Sequence, residues 1–181
     1  MSLMRNVIWG AALASLGMAE VAVAQEPACL TEHEVTSLVT YALPVVMDGA
    51  MKTCRPQLSP QGYFATQGSS LVQRYAALKG AAWPEARAAM LKLGGNDAKL
   101  KDVVSNLSDE ALQPFAEGLV SAVVTKGIKP DQCKAIERAT RLLSPLPPEN
   151  TAELVTFILV VADKPKAGSA KKSDLPICPA A

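Results

Sequence analysis

Four cysteines, Cys29, Cys54, Cys133 and Cys178, are the residues with the clearest chemistry in this chain. An even set of thiols in an exported protein forms disulfides, because the compartment outside the cytoplasm is oxidising. No two of these cysteines are spaced Cys-x-x-Cys. The spacing therefore predicts neither a thioredoxin-type redox motif nor a c-type haem attachment site, and we expect two structural disulfides.

The length of the first predicted helix limits how the cysteines can pair. A helix from Thr31 to Thr53 is about 33 Å long, whereas a disulfide holds its two Cα atoms roughly 4.4–6.8 Å apart. Cys29 and Cys54 bracket this helix, so they cannot pair unless Pro44 folds it back on itself. Two pairings remain: Cys29–Cys133 with Cys54–Cys178, or Cys29–Cys178 with Cys54–Cys133. The second is favoured, because it ties the mature termini together and joins the first helix to the one that carries Cys133.

Sulfur ligands also suggest a metal site. Met47 and Met51 are spaced i, i+4, and Cys54 follows one turn later. Soft sulfur ligands on one helix face can hold Cu(I) in an exported protein. Both methionines also continue the apolar stripe of their helix, so core packing is the first interpretation. Copper binding through Met47 and Met51 is an alternative that weakens if Cys54 is oxidised.

Few residues are suited to catalysis, and we assign no catalytic residue. His33 is the only histidine, and it lies in the first turn of a capped helix, where capping explains its neighbours Glu32 and Glu34. Asp48 and Arg55 lie near the end of the same helix without a capping role. A local ion pair is their simplest explanation, and an enzyme with an atypical carboxylate site is the third hypothesis.

The N-terminus reads as a secretory signal peptide. Arg5 supplies a positive start, Val7–Met18 is a short apolar stretch, and Ala22-Val23-Ala24 offers small residues, with cleavage predicted after Ala24. The stretch is shorter than the ~20 residues of a membrane span. Lipidation of Cys29 is the rival interpretation, although Glu26-Pro27-Ala28 is a poor processing site. We therefore predict export, to the periplasm in a Gram-negative cell and to the medium otherwise, with no transmembrane segment after cleavage.

Composition limits the mature chain to one ordinary domain. Cleavage leaves roughly 157 residues, enough for a hydrophobic core. The chain carries a net charge of only +1, which excludes the basic excess that nucleic-acid binding needs. Apolar residues make up 49% and aromatic residues only 4%. A core of Ala, Val, Leu, Ile and Met favours packed helices over a β-sandwich.

The apolar periodicity predicts about six helices. Thr31-Glu32-His33-Glu34 is a capping box, and the stripe behind it runs to about Cys54. The other predicted helices are Ser59 to Gly80, Pro84 to Leu93, Ser108 to Lys126, Pro130 to Leu143, and Pro148 or Asn150 to Ala162, with a further turn or two between Asp97 and Leu107. Only Thr156 is polar between Leu154 and Ala162, so we expect the last helix to lie enclosed in the middle of the bundle.

The sequence thus predicts an all-α protein, a single compact bundle of about six helices stapled by two disulfides. Its parts are a cleaved signal peptide (1–24), a helical domain (25–163) and a flexible C-terminal tail (164–181) anchored by Cys178. No cofactor is expected. The favoured function is non-enzymatic: binding a partner protein or a small ligand in the cell envelope.

Overall fold

The computed structural model describes residues 29–94, 102, 104–162 and 176–178. Within these residues the fold is all-helical, as predicted. Short 3-10 helices, Arg55–Gln57 and Pro130–Gln132, adjoin two of the α-helices, and residues 104–106 are also helical. The α-helices with described bounds are α1 (Glu32–Cys54), α2 (Tyr63–Ala76), α3 (Lys79–Gly94), α4 (Asp109–Gly127), α5 (Cys133–Leu143) and α6 (Pro148–Ala162).

The first helix begins at the predicted capping box. The Glu34 amide donates to Thr31 Oγ1 over 3.3 Å, and the Thr31 amide donates to Glu34 Oε2 over 2.8 Å. These bonds satisfy two backbone donors that a helix start otherwise leaves without partners. Pro44 lies in the interior of α1, which continues across it to Cys54 as the apolar stripe indicated.

α1 is the helix on which the others pack. It contacts α2, α3, α4, α5 and α6 along its length. One core cluster centres on Tyr41 and Trp83, whose ring centroids are 4.9 Å apart, and a second centres on Leu30 and Val35. Gly49 lets α4 approach closely, since a Cβ there would lie 3.2 Å from Val124 Cγ1. α1 therefore forms the centre of the bundle.

The prediction that the last helix lies enclosed in the middle is wrong. α6 packs on α1 from the outside, and Leu154, Phe157, Ile158 and Val161 are exposed to solvent. The side that meets the bundle carries Thr151, Ala152 and Thr156, each about 1% exposed, and the partly buried Leu159, which packs against the Leu30 and Val35 cluster. A run of apolar residues around a helix does not specify which side turns inwards, and here the small and hydroxyl side chains fit against α1 and α2.

Two boundaries between helices also differ from the predictions. α2 begins at Tyr63 and ends at Ala76, and a two-residue turn leads directly into α3 at Lys79. α3 therefore includes Gly80 and Pro84, which had been expected to end one helix and begin the next. Burial of Trp83, which is 6% exposed, anchors this first part of α3 against α1 and outweighs the helix-breaking tendency of the glycine and proline.

All four cysteines are paired in two disulfides. Cys29 joins Cys178 with a Cα–Cα distance of 5.0 Å, and Cys54 joins Cys133 with 5.3 Å. This is the pairing favoured from the sequence. Beside the first bond, the Leu30 amide donates to the Pro176 carbonyl over 2.6 Å, and the Cys178 amide donates to the Leu30 carbonyl over 2.8 Å. The second bond fixes the end of α1 to the start of α5.

Some predictions concern residues outside the described part of the chain. These are the signal peptide over 1–24 and most of the tail over 164–181, of which only 176–178 are described. Among the helices that are described, none is both long enough and apolar enough to cross a membrane.

We expect removal of either disulfide to destabilise the protein strongly. Each closes a long loop, of sequence separation 149 for Cys29–Cys178 and 79 for Cys54–Cys133. Such loops restrict the unfolded chain by about 3–5 kcal/mol. Double Cys→Ala variants of each pair, compared with the parent protein by urea unfolding, measure the loss. Four titratable thiols in the native, exported protein would contradict the pairing.

The charge of Glu34 should make stability depend on pH. Burial alone would raise the pKa of Glu34, but hydrogen bonds from Lys92 and from Thr31 outweigh it, so the pKa is lowered. Lys92 Nζ lies 2.7 Å from Glu34 Oε1. The pKa of Glu34 is lower in the folded state than in the unfolded state, so its ionised carboxylate stabilises the fold. This stabilisation is complete at neutral pH and is lost as the pH falls through the pKa of the folded state.

Glu34→Gln tests this dependence, because glutamine keeps the reach of the capping box and removes the charge. We expect a loss of about 1–2 kcal/mol at neutral pH, shrinking towards zero in acid, measured by chemical unfolding across a pH series. Glu32→Gln, at an exposed position in the same helix turn, is the control and should cost only a few tenths of a kcal/mol. A cost for Glu34→Gln that is unchanged at acidic pH would contradict the assignment.

Candidate functional site

His33 lies on the surface and is not part of a nucleophilic triad. Its side chain is 76% exposed, and its Nδ1 lies 2.6 Å from Glu85 Oε2. The Ser37 hydroxyl donates to the same carboxylate oxygen over 3.0 Å. In a Ser-His-Asp triad the histidine contacts the serine, whereas here the carboxylate lies between them. The three side chains join the start of α1 to α3.

A cavity lies between the end of α1 and α2. Its volume is about 710 Å³, and its lining includes Asp48, Met51 and Arg55, three of the residues singled out in the sequence. Met47 is not among the lining residues. α2 supplies the facing wall through Phe64 and Val72. Sequence reasoning missed this wall, because these two residues look like an ordinary buried edge of a helix until α2 is placed beside α1.

Asp48 and Arg55 do not form the ion pair that the sequence suggested. Asp48 Oδ2 instead lies 2.6 Å from Lys52 Nζ, one turn along α1. The side chain of Arg55 makes no hydrogen bond or ion pair with the other described residues, although its backbone N–H donates to the Met51 carbonyl. The rim of the cavity therefore carries the Asp48–Lys52 ion pair and the Arg55 guanidinium, whose charge has no partner among the described residues. This arrangement can attract an anion, but it contains no pair of carboxylates for acid–base catalysis.

The sulfur atoms of α1 are engaged in structure. Met51 Sδ packs against Gly68 of α2, at a place where a Cβ atom would collide with it. Cys54 is fully buried and disulfide-bonded, so it offers no thiolate to a metal. Within the described part of the chain, no group of three or more His, Cys, Asp or Glu side chains could hold a metal ion. The copper alternative is left with Met47 and Met51 alone.

A polar network around Tyr41 ties three helices together. The Tyr41 hydroxyl donates to Glu117 Oε1 over 3.1 Å, and Lys79 of α3 forms an ion pair with the same oxygen. Lys79 Nζ also lies 5.0 Å from the centre of the Tyr41 ring. Burial raises the pKa of Tyr41, and the charge and hydrogen bond of Glu117 raise it further. Tyr41 is therefore a neutral hydrogen-bond donor that positions α4.

α4 and α6 both expose apolar side chains. On α4 these are Phe115, Leu119 and Val123, the last of them 72% exposed, and the first two also line an apolar groove of about 220 Å³ against α1 and α3. On α6 they are Leu154, Phe157, Ile158 and Val161, which we call the α6 stripe. A spacing of i, i+3, i+4 and i+7 places these four on one side of the helix.

The inward side of α6 buries two hydroxyl side chains beside the apolar Ala152 and Leu159. Thr151 Oγ1 accepts a hydrogen bond from the Tyr75 hydroxyl over 2.9 Å and donates to the Pro147 carbonyl over 3.2 Å. Thr156 is 1% exposed, and its hydroxyl has no partner among the described residues. Burying these hydroxyls while Phe157 remains 59% exposed inverts the usual amphipathic arrangement.

Two substitutions compare the contribution to stability of the Asp48–Lys52 ion pair with that of the network formed by Tyr41, Lys79 and Glu117. Asp48→Asn removes an exposed pair along one helix and should change the unfolding free energy by about 0.5 kcal/mol or less. Glu117→Gln removes the acceptor shared by Tyr41 and Lys79 and should cost about 1–2 kcal/mol. Thermal and urea unfolding measure both. An equal cost for the two variants would contradict the role given to Glu117.

The chain has no significant match among protein-family models, curated proteins or solved structures. Its own surfaces are therefore the basis for a functional proposal. Two features stand out from the rest of the described surface: the cavity between α1 and α2 that Arg55 borders, and the apolar side chains that α4 and α6 present to solvent.

Proposed function

We propose that this is a non-enzymatic protein of the cell envelope that binds a partner protein through the α6 stripe. The observation that carries the proposal is the inverted orientation of α6, with threonines buried and Leu154, Phe157, Ile158 and Val161 exposed. Soluble monomers rarely expose contiguous apolar patches without a binding role. Two disulfides and the export signal in the sequence support a location outside the cytoplasm.

The charges on α6 itself favour a protein partner over a lipid surface. α6 contains no lysine or arginine, and its exposed charges are Glu149 and Glu153 in the first half of the helix. Helices that lie on membranes carry basic residues on their polar side, because membrane surfaces are anionic. A partner helix with apolar residues at i, i+3, i+4 and i+7, and with basic residues facing Glu149 and Glu153, has the complementary chemistry.

The ion pairs of the described residues support a non-enzymatic role. Glu34 caps α1 and binds Lys92, and Asp48 binds Lys52. Arg87 binds Asp109, and so joins α3 to α4 over 2.9 Å. These charged side chains form ion pairs that stabilise the helices and their packing, and they do not converge on one site.

Photocrosslinking in the exporting cell tests the proposal. A photoreactive residue replaces Ile158 in the stripe or, as the matched control, the exposed Lys134 of α5. We expect a crosslinked partner from position 158 alone, and we expect Phe157→Glu to abolish it without lowering the melting temperature, because Phe157 is already exposed. A crosslink to a second copy of this chain, equal yields at both positions, or a crosslink unaffected by Phe157→Glu would contradict the proposal.

A further inference from the structure

The cavity between α1 and α2 has the size and the walls of a small-molecule site. Its volume of about 710 Å³ falls in the range of ligand pockets in proteins. Met51, Phe64 and Val72 give it an apolar wall, and each of these side chains is only partly buried by the protein itself. A ligand that packs on this wall would therefore bury apolar surface that is now exposed to water.

Three polar side chains of the same lining have no partner within the described part of the chain. These are Arg55, at the end of α1, and Ser69 and Gln73 on the second and third turns of α2. The other polar groups of the lining are satisfied: Ser59 exchanges hydrogen bonds with Gln61, and Lys52 binds Asp48. The lining thus combines unused hydrogen-bonding groups with an apolar wall, as pockets for oriented ligands do.

The charges of the lining select an anion with a single charge. Lys52 and Arg55 are cationic and Asp48 is anionic, so one positive charge is left, and it belongs to Arg55. A guanidinium binds a carboxylate through two parallel hydrogen bonds. A ligand with several negative charges, such as a nucleotide, would meet Asp48 and find only one cation free. The apolar wall would also leave such a ligand without partners for its polar groups.

We propose that this cavity binds a small amphipathic monoanion, a carboxylate on an apolar body. The carboxylate binds Arg55, Ser69 and Gln73 supply further hydrogen bonds, and the apolar body packs on Met51, Phe64 and Val72. Met51 lies on Gly68, which holds its thioether at the floor between the two helices. The site is separate from the α6 stripe and does not depend on the function proposed above.

Three probes with one tail and different charges test this site: octanoate, octan-1-ol and octylammonium. Titration by calorimetry, with amide shifts followed by two-dimensional NMR, should show that octanoate binds most tightly. The shifts should fall on Arg55–Gln57 and on α2. Arg55→Gln should weaken octanoate binding about tenfold, to the level of octan-1-ol. Arg74→Gln, the matched control on α2, should keep the preference, because Arg74 donates to the Ser144 carbonyl and does not line the cavity.

A second variant keeps the proposal testable if Arg55→Gln is unstable. Ser69→Trp places a large side chain in the cavity from an exposed helix position and should block all three probes. Equal binding of octanoate and octylammonium, or a preference that survives Arg55→Gln, would overturn the proposal. So would octanoate shifts confined to α4 and α6. Phe157→Glu should leave octanoate binding unchanged. The proposal for the cavity and the proposal for the α6 stripe can therefore fail independently of each other.

Discussion

The burial of α1 is the constraint on which the rest of the structure depends. The helix is 23 residues long, and the other five α-helices with described bounds all contact it. Its start is fixed by the capping bonds between Thr31 and Glu34, and its end by the bond from Cys54 to Cys133. Because both ends are held, the helices packed on α1 have defined places along it. The two candidate surfaces are consequences of that packing.

The rotation of α6 about its own axis decides what the protein presents to solvent. Its apolar residues surround the helix, so hydrophobic burial alone would accept several orientations. The hydrogen bond from Tyr75 to Thr151 is specific and buried, and it turns the threonine side towards α2. Ala152 beside it is small enough for close packing. Phe157 and Ile158 then face outwards because the inward positions are taken.

The features that depend on local chemistry could be predicted from the sequence. The capping box at Thr31 follows from residues three apart, and the exclusion of a Cys29–Cys54 bond follows from the length of one helix. The position of α6 could not be predicted, because a uniform apolar run contains no directional information. The predicted boundary between α2 and α3 was wrong for a related reason. Burial of Trp83 is a tertiary effect, and it outweighs the local helix-breaking tendencies of Gly80 and Pro84.

Only part of the candidate site could be identified from the sequence. Asp48 and Arg55 stood out because they have no capping role, and Met51 stood out because of its spacing from Met47. The sequence could not show that Lys52 pairs with Asp48 and leaves the Arg55 side chain without a partner among the described residues. The facing wall from Phe64 to Gln73 depends on how α2 crosses α1 at Gly68. A close approach of two helices is a property of their packing, and neither helix reveals it alone.

The inverted orientation of α6 is the central claim, and NMR with a soluble paramagnetic probe tests it most directly. Such a probe broadens the signals of methyl groups that meet solvent. We expect strong broadening of the Leu154 and Ile158 methyl signals in dilute protein, and protection of the methyl group of Thr156. Broadening of the Thr156 methyl signal with protection of Leu154 and Ile158 would contradict it.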